Sequence, residues 1–219
     1  MRRQSRGTLI FFIGIDGSGK TTHALALCRE LSRRGVRSVY VRPREALFRL
    51  IPSMLKEWVE KHPYISPRNI TISCKKWKSS SSWGLGVLKI PITILFLIYA
   101  FITYLLTIRP LLNEFVVVCD RFFFDWFYNL WGNASIALVR LLPKPSIAFL
   151  LDVPVTVAFS RMHYPLDKQV RLSYYESLRE WYLMLARRQN FFIIDSSSKF
   201  EEVKDTIKKY VISMLGSNG

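Results

Sequence analysis

The chain has 219 residues, about the length of one α/β domain, and half of them are hydrophobic, so it can bury a core and wholesale disorder is excluded. Lysine and arginine number 32 against 16 acidic residues, which gives a formal net charge of +16. This charge favours anionic partners such as phosphates, nucleic acid or an acidic membrane face. Cys28, Cys74 and Cys119 have no metal-ligand or paired spacing, so we expect reduced thiols rather than disulfides or zinc.

Short apolar runs alternate along the chain with longer helical patterns. The runs predict five buried strands, at 9–15, 38–41, 115–119, 147–151 and 191–194. The helical patterns predict helices at 20–34, 46–61, 170–188 and 200–215. Continuous apolar strands separated by helices indicate a parallel sheet that is covered on both faces.

The first predicted strand leads directly into residues 14–21, GIDGSGKT, which fit the pattern G-x-x-x-x-G-K-[ST] at every fixed position. Glycines let such a loop curl so that its N–H groups point at phosphate oxygens, and the following helix adds its positive dipole end. We expect Lys20 to reach the β- and γ-phosphates of a nucleotide and Thr21 to bind Mg²⁺. Asp16 is either a turn former or a carboxylate that faces a second substrate. The predicted nucleotide-binding residues are Gly14, Ile15, Asp16, Gly17, Ser18, Gly19, Lys20, Thr21 and Thr22.

Several motifs occur in an order that resembles the thymidylate kinase family. The phosphate loop has an acidic residue at that family's characteristic position, Asp16, and Asp120-Arg121-Phe122 is similar to its Asp-Arg-Tyr motif. Residues 149–154 followed by Arg161 resemble its fourth strand and the start of its lid. Residues 179–186 resemble the helix after the lid, and 193–196 resemble the last strand and the Ser that follows it.

The resemblance implies an α/β P-loop NTPase fold, with a five-stranded parallel sheet and helices on both faces. It implies one kinase domain over 1–219, with a lid at about 161–172 that contains Arg161 and Arg171. The implied reaction moves the γ-phosphate of ATP to a nucleoside monophosphate, with dTMP giving dTDP as the first expectation. By this analogy Lys20, Arg121 and Arg161 are catalytic, Asp16, Arg44 and Arg121 bind the acceptor, and Thr21 and Asp120 hold Mg²⁺. The plainer alternative for Asp120 is an ordinary strand-end carboxylate.

The acceptor side departs from the family's pattern. Asp125 and Asn129 stand where a Ser or Thr and then a Tyr are usual, and 42–45, which includes Arg44, only loosely echoes the second-strand motif. The helix that usually offers a thymine-contacting Arg is replaced by an apolar segment. Two alternatives therefore stay open: a same-fold kinase with another acceptor, and a membrane-associated protein that binds ATP without efficient transfer. Charge alone supports a nucleic-acid binder, and without a visible recognition module we expect no specific nucleic-acid partner.

Residues 90–108 carry no charge in 19 positions, so composition alone would allow a transmembrane helix. Strands are predicted on both sides of this segment, and a single crossing would divide one sheet across a bilayer. We therefore expect a helix in the core or in a homodimer interface, ahead of one that rests on a membrane. The expected location is the cytoplasm, with peripheral membrane contact left open. His23, His62 and His163 show no paired spacing, and we interpret them as structural or surface residues.

Overall fold

A computed structural model of the chain describes residues 7–43, 86–162 and 172–217. Five parallel strands form one sheet in the order β2-β3-β1-β4-β5. Their bounds are β1 (Leu9–Ile13), β2 (Ser38–Val41), β3 (Val116–Asp120), β4 (Ile147–Asp152) and β5 (Phe192–Asp195). The predicted sheet is confirmed, with strand ends shifted by one or two residues.

The central strand β1 sets the position of the phosphate loop. Its residue Ile10 is paired with Val118 of β3 on one side and Ile147 of β4 on the other. The chain leaves β1 toward β2, beyond β3, whereas the later strands β4 and β5 lie on the opposite side. Ligands of open parallel sheets bind at the carboxyl ends of strands where connections diverge in this way. The loop after β1 lies at that point.

The core of the sheet is built on the alternation of side chains along β1. Ile10 and Phe12 are buried together with apolar residues of α1 (Lys20–Arg33) and α8 (Phe200–Ser217), among them Leu27 and Ile207. Phe11 points to the other face and stacks on Phe122, with 4.8 Å between ring centroids. Burial on both faces explains why the strand is an unbroken apolar run.

Six further helical elements complete the described chain, besides a π-helical turn at Tyr104–Ile108 and a 3₁₀ turn at Gly132–Ser135. They are α2 (Gly86–Thr103), α3 (Arg109–Leu112), α4 (Phe124–Trp131), α5 (Ile136–Val139), α6 (Val155–Ser160) and α7 (Leu172–Gln189). The short helices α3 to α6 were not predicted. The predicted helix at 46–61, the lid residues 163–171, Arg44, Cys74, His62 and His163 all lie outside the described residues.

The chain divides into two compact units. The first, Met1–Arg42, Ile108–Phe122 and Pro145–Gly219, contains the sheet and the phosphate loop. The second, Pro43–Thr107 and Phe123–Lys144, contains α2, α4 and α5. The single kinase domain expected over 1–219 stays a prediction.

The apolar helix α2 is largely exposed in the single chain. The expectation that it is a core helix of this chain is therefore wrong. The stretch Lys89–Leu112 has 24 residues, its most apolar 18-residue window has a mean hydropathy of 2.2, and only 22% of that window is buried. Among the described residues it is the one helix long and apolar enough to cross a membrane. Contiguous exposed apolar surface of this kind is typical of an interaction site.

Candidate active site

The phosphate loop connects β1 to α1 in a backbone path that only glycine can follow. Gly14 has a φ of 138°, and a Cβ atom there would lie 2.6 Å from the carbonyl oxygen of Leu151 at the end of β4. Gly17 has a φ of 82°, and its Cβ would lie 2.2 Å from the carbonyl oxygen of Ala158 in α6. Both contacts are with backbone atoms, which cannot yield as a flexible side chain could. The loop is therefore fixed against β4 and α6.

Lys20 begins α1, and its side chain folds back over the loop. It is 3% exposed, and its Nζ donates hydrogen bonds to the carbonyl oxygen of Ile15 at 2.5 Å and to Ser18 Oγ at 3.4 Å. This places the ammonium group inside the curl of the loop, close to the N–H groups of the first turn of α1. A phosphate chain held by those N–H groups would have its charge neutralised by Lys20. Thr22 is exposed on the same turn.

Asp120 and Thr21 form the candidate Mg²⁺ site. The carboxylate of Asp120 is at the end of β3, and its Oδ2 accepts a hydrogen bond from Thr21 Oγ1 at 2.5 Å. Its Oδ1 is buried and has no hydrogen-bond partner among the described residues. Burial opposes ionisation of Asp120, but Lys20, the Thr21 hydroxyl and Arg121 outweigh it and hold the pKa below its usual range. An ionised carboxylate with a free oxygen beside a hydroxyl fits the oxygen ligands that Mg²⁺ prefers.

Mg²⁺ at these two side chains would need further oxygen ligands. Within the described residues no group of three or more His, Cys, Asp or Glu could bind one. Mg²⁺ commonly keeps several waters and binds through one or two protein groups and substrate phosphates. Thr21 and Asp120 therefore fit an ion that arrives with the nucleotide.

Arg121 and Asp16 are brought together, as the resemblance implied for residues that face one acceptor. Arg121 Nη2 lies 2.5 Å from Asp16 Oδ1. Burial alone would lower the pKa of Arg121, but Asp16 and Asp120 outweigh it and raise that pKa, so the guanidinium stays charged. Its side chain is about a third exposed, at 36%, so a ligand can reach it.

The backbone of Arg121 is itself unusual. Its φ is 64°, a left-handed conformation that costs a non-glycine residue roughly 1–3 kcal/mol. Its N–H donates to the carbonyl oxygen of Phe12 at 3.0 Å, which ties the residue to the central strand. Strain of this kind persists where the surrounding structure fixes a residue, and it is concentrated at functional sites. This observation supports the assignment of Arg121 to the acceptor site.

Arg42 and Tyr40 belong to this site, although we did not assign them from the sequence. The Tyr40 hydroxyl donates to Asp120 Oδ2 at 2.8 Å, and Arg42 Nε lies 3.3 Å from the same oxygen. Arg42 Nη2 is 3.1 Å from Thr21 Oγ1. The signal was available, because Arg42 follows β2 directly and the carboxyl ends of parallel strands share one edge of a sheet. Arg42 reaches the site, whereas Arg44, the arginine predicted to bind the acceptor, lies outside the described residues.

Arg161 lies at the end of α6 and is exposed. Its Nη1 donates to the carbonyl oxygen of Ser196, just after β5, at 3.0 Å. This contact holds the Arg161 side chain against the end of β5. The catalytic role of Arg161 stays a prediction. Asp125 and Asn129, the residues that depart from the family's pattern, are buried on α4 in the second unit.

His23 has the structural role expected of it. It is buried on α1, and its ring stacks on Phe200 at 4.8 Å between centroids. Burial, with a smaller contribution from the charge of Arg161, lowers its pKa from 6.5 to about 4. Cys28 and Cys119 are free thiols, as expected, and burial raises both pKa values.

His23 should make the fold sensitive to acid. Between pH 6.5 and about 4 the unfolded chain takes up a proton that the folded His23 refuses, so the free energy of unfolding falls as the pH falls. The shift corresponds to a loss of up to about 3 kcal/mol. Urea unfolding of wild type and His23→Gln at pH 8 and pH 4.5 tests this. At pH 8 both states are neutral and the difference reports packing alone, so equal losses between the two pH values in both proteins would contradict the expectation.

Comparisons with known proteins agree with this geometry. The family model described as thymidylate kinase matches residues 89–207, more than half of the chain. A probable thymidylate kinase of Sulfurisphaera tokodaii is 28% identical over 215 residues, which cover 94% of this chain and 96% of that protein. One of Pyrococcus horikoshii is 27% identical over 214 residues, covering 92% and 94%. A thymidylate kinase of Thermosipho melanesiensis is 28% identical over 221 residues, covering 94% and 98%. The phosphate loop follows β1, and Asp120-Arg121 stands at the end of the neighbouring strand β3. Together with these matches, this shows that the chain belongs to the thymidylate kinase family.

Proposed function

We propose that the chain transfers the γ-phosphate of ATP to dTMP and releases dTDP. The observation that carries the proposal is that the Lys20 cradle and the Arg121–Asp16 pair stand at the ends of the adjacent strands β1 and β3. Two phosphate groups bound there would lie at the same edge of the sheet. The names of the relatives support dTMP as the acceptor, and the position of these groups supports this site for the reaction.

The donor half of the reaction rests on the phosphate loop. Backbone N–H groups and Lys20 hold the β- and γ-phosphates, and this charge neutralisation is worth most in a site with little water. Mg²⁺, when bound, would neutralise the phosphate oxygens that gain charge during transfer. Thr21 and Asp120 would hold it, while Tyr40 and Arg42 fix the carboxylate of Asp120 in place.

The acceptor half rests on Arg121. A guanidinium has five N–H donors, so Arg121 can keep its contact with Asp16 and still bind a phosphate monoester. Asp16 then fixes the direction of the guanidinium and offers a carboxylate to an acceptor hydroxyl. Phosphoryl transfer is achieved mainly by such positioning and charge neutralisation, so a nucleophilic triad is not needed.

An acceptor screen with labelled ATP tests this proposal. We expect phosphate transfer to dTMP to exceed transfer to dUMP, dCMP, dAMP and dGMP, and to stop when Mg²⁺ is chelated. A reaction without acceptor is the control for ATP hydrolysis. Faster transfer to another monophosphate would favour the same-fold kinase with a different acceptor. ATP binding without transfer to any of them would favour the membrane-associated ATP-binding protein.

Two further expectations stay predictions. The substrates, ATP and dTMP, imply a cytoplasmic enzyme. A homodimer through the region of α2 and a peripheral membrane contact are competing ways to cover the exposed face of that helix.

A further inference from the structure

Arg42 contacts an oxygen atom of each side chain assigned to the candidate Mg²⁺ site. Its Nε lies 3.3 Å from Asp120 Oδ2, and its Nη2 donates to Thr21 Oγ1 at 3.1 Å. The same Nε also donates to the hydroxyl oxygen of Tyr40 at 2.8 Å. A guanidinium is always charged in proteins. Arg42 therefore supplies a positive charge beside the two side chains that would hold a metal ion.

The guanidinium and a metal ion would use the same side of Thr21. A hydroxyl oxygen donates one proton and accepts through its lone pairs. Thr21 donates its proton to Asp120 Oδ2 at 2.5 Å and accepts from Arg42. A metal ion on Thr21 Oγ1 would bind through the lone pairs, where Arg42 already lies. The ion and the guanidinium would then share one oxygen atom.

Electrostatic repulsion opposes such sharing. Two cations a few ångströms apart repel strongly where little water screens them, and the side chain of Asp120 is only 1% exposed. The repulsion remains if the ion uses the other carboxylate oxygen, Oδ1, because both oxygens belong to one small group. Arg42 and a metal ion therefore exclude each other from this site.

Arg42 is held to Asp120 less closely than the other donors are. Tyr40 and Thr21 donate to Oδ2 at 2.8 and 2.5 Å, whereas the Arg42 distance of 3.3 Å exceeds the roughly 2.7–2.9 Å of a strong charge-assisted bond. Arg42 is also 42% exposed, so its guanidinium can move into water and stay hydrated. Tyr40 and Thr21 would keep the carboxylate in place after Arg42 leaves.

We propose that Arg42 and Mg²⁺ compete for Thr21 and Asp120, so that the guanidinium must leave these oxygens before the ion binds. A free ion has to displace Arg42 unaided. An ion that arrives with a nucleotide brings phosphate ligands of its own. The competition therefore selects the metal–nucleotide complex over the free ion. This inference rests on the proposed function for the position of the metal site, and it adds that the chain's own cation closes that site to free Mg²⁺.

Metal binding to the full chain without nucleotide tests the competition directly. Mn²⁺, which prefers the same oxygen ligands, is the probe, and electron paramagnetic resonance distinguishes free from bound ion. Arg42→Gln removes the charge, so we expect its Kd for Mn²⁺ to be at least about tenfold lower than that of wild type. Arg42→Met, a second neutral variant, should give the same gain. A residue that only supported the carboxylate would have the opposite effect, so unchanged or weaker Mn²⁺ binding in both variants would overturn the proposal.

Two further variants show whether the gain arises at this site. Arg37→Gln removes the same charge just before β2, at the opposite end of that strand, where Arg37 pairs with Glu114 on the surface at 3.6 Å. It should bind Mn²⁺ as wild type does. Asp120→Asn, added to Arg42→Gln, should abolish the gain. An equal gain from Arg37→Gln, or a gain that survives Asp120→Asn, would overturn the proposal.

Thermal unfolding followed by circular dichroism gives a second readout and checks the fold of each variant. Added Mg²⁺ should raise the Tm of Arg42→Gln more than that of wild type, because an ion that binds only the folded chain stabilises it according to its affinity. Equal shifts would contradict the competition. Phosphate transfer to dTMP is assayed separately. Loss of transfer in wild type would reject the kinase proposal and leave the metal result readable, whereas normal transfer without the gain would reject the competition alone.

Discussion

Lys20→Ala is expected to lower kcat by about 10³-fold, the range found when a group that stabilises transition-state charge is removed. Lys20 Nζ is buried inside the curl of the phosphate loop. Its attraction to a bound phosphate is strong there, because little water screens it, and water that fills the space left by alanine would not supply that charge. The fold should survive, because the hydrogen bonds from Lys20 to the Ile15 carbonyl oxygen and to Ser18 are made within the loop itself. Turnover and thermal unfolding, measured on the same preparation, separate the two effects.

The matched control for this change is Lys204→Ala. It removes the same charge from α8, where Lys204 pairs with Glu201 on the surface, and surface pairs of this kind contribute little. We expect wild-type turnover from it. Wild-type turnover from Lys20→Ala as well would exclude the phosphate loop as the donor site.

Arg121→Ala should raise KM for dTMP by about 100-fold, which corresponds to removal of a charge-assisted, bidentate interaction worth about 3 kcal/mol. The Kd for ATP should change by less than about threefold, because the donor phosphates are held by Lys20 and the loop. Steady-state kinetics with dTMP varied, together with ATP titration by calorimetry, measures both quantities.

Two variants make this result specific to acceptor binding. Arg121→Lys keeps the charge but cannot form the bidentate contact, so its KM should lie between those of wild type and alanine. Arg121→Gly accepts the φ of 64° without strain, so it should be more stable than alanine while its KM is as poor. Equal losses for ATP and dTMP in all three variants would show that Arg121 supports the whole site rather than the acceptor.

The sequence by itself determined the sheet and the donor loop, because both depend on local patterns. A buried parallel strand needs an unbroken apolar run, and the five runs found in the sequence are the five strands. The phosphate loop needs glycine where φ is positive and where a backbone carbonyl lies too close for a Cβ, and Gly14 and Gly17 meet both conditions. The family resemblance implied that Arg121 and Asp16 face one acceptor, which stays a prediction, and the structure places the two side chains in contact.

Only the tertiary structure decided which side chains surround Asp120 and which face of the apolar helix α2 is buried. Tyr40 and Arg42 lie 80 and 78 residues before Asp120, and only the placement of β2 beside β3 brings them to its carboxylate. An uncharged helix has the same sequence pattern in a core as on an exposed surface, because hydropathy records composition and not neighbours. The packing of one face of α2 on the aromatic residues of α4 leaves the other face open, and that arrangement depends on contacts between residues distant in sequence.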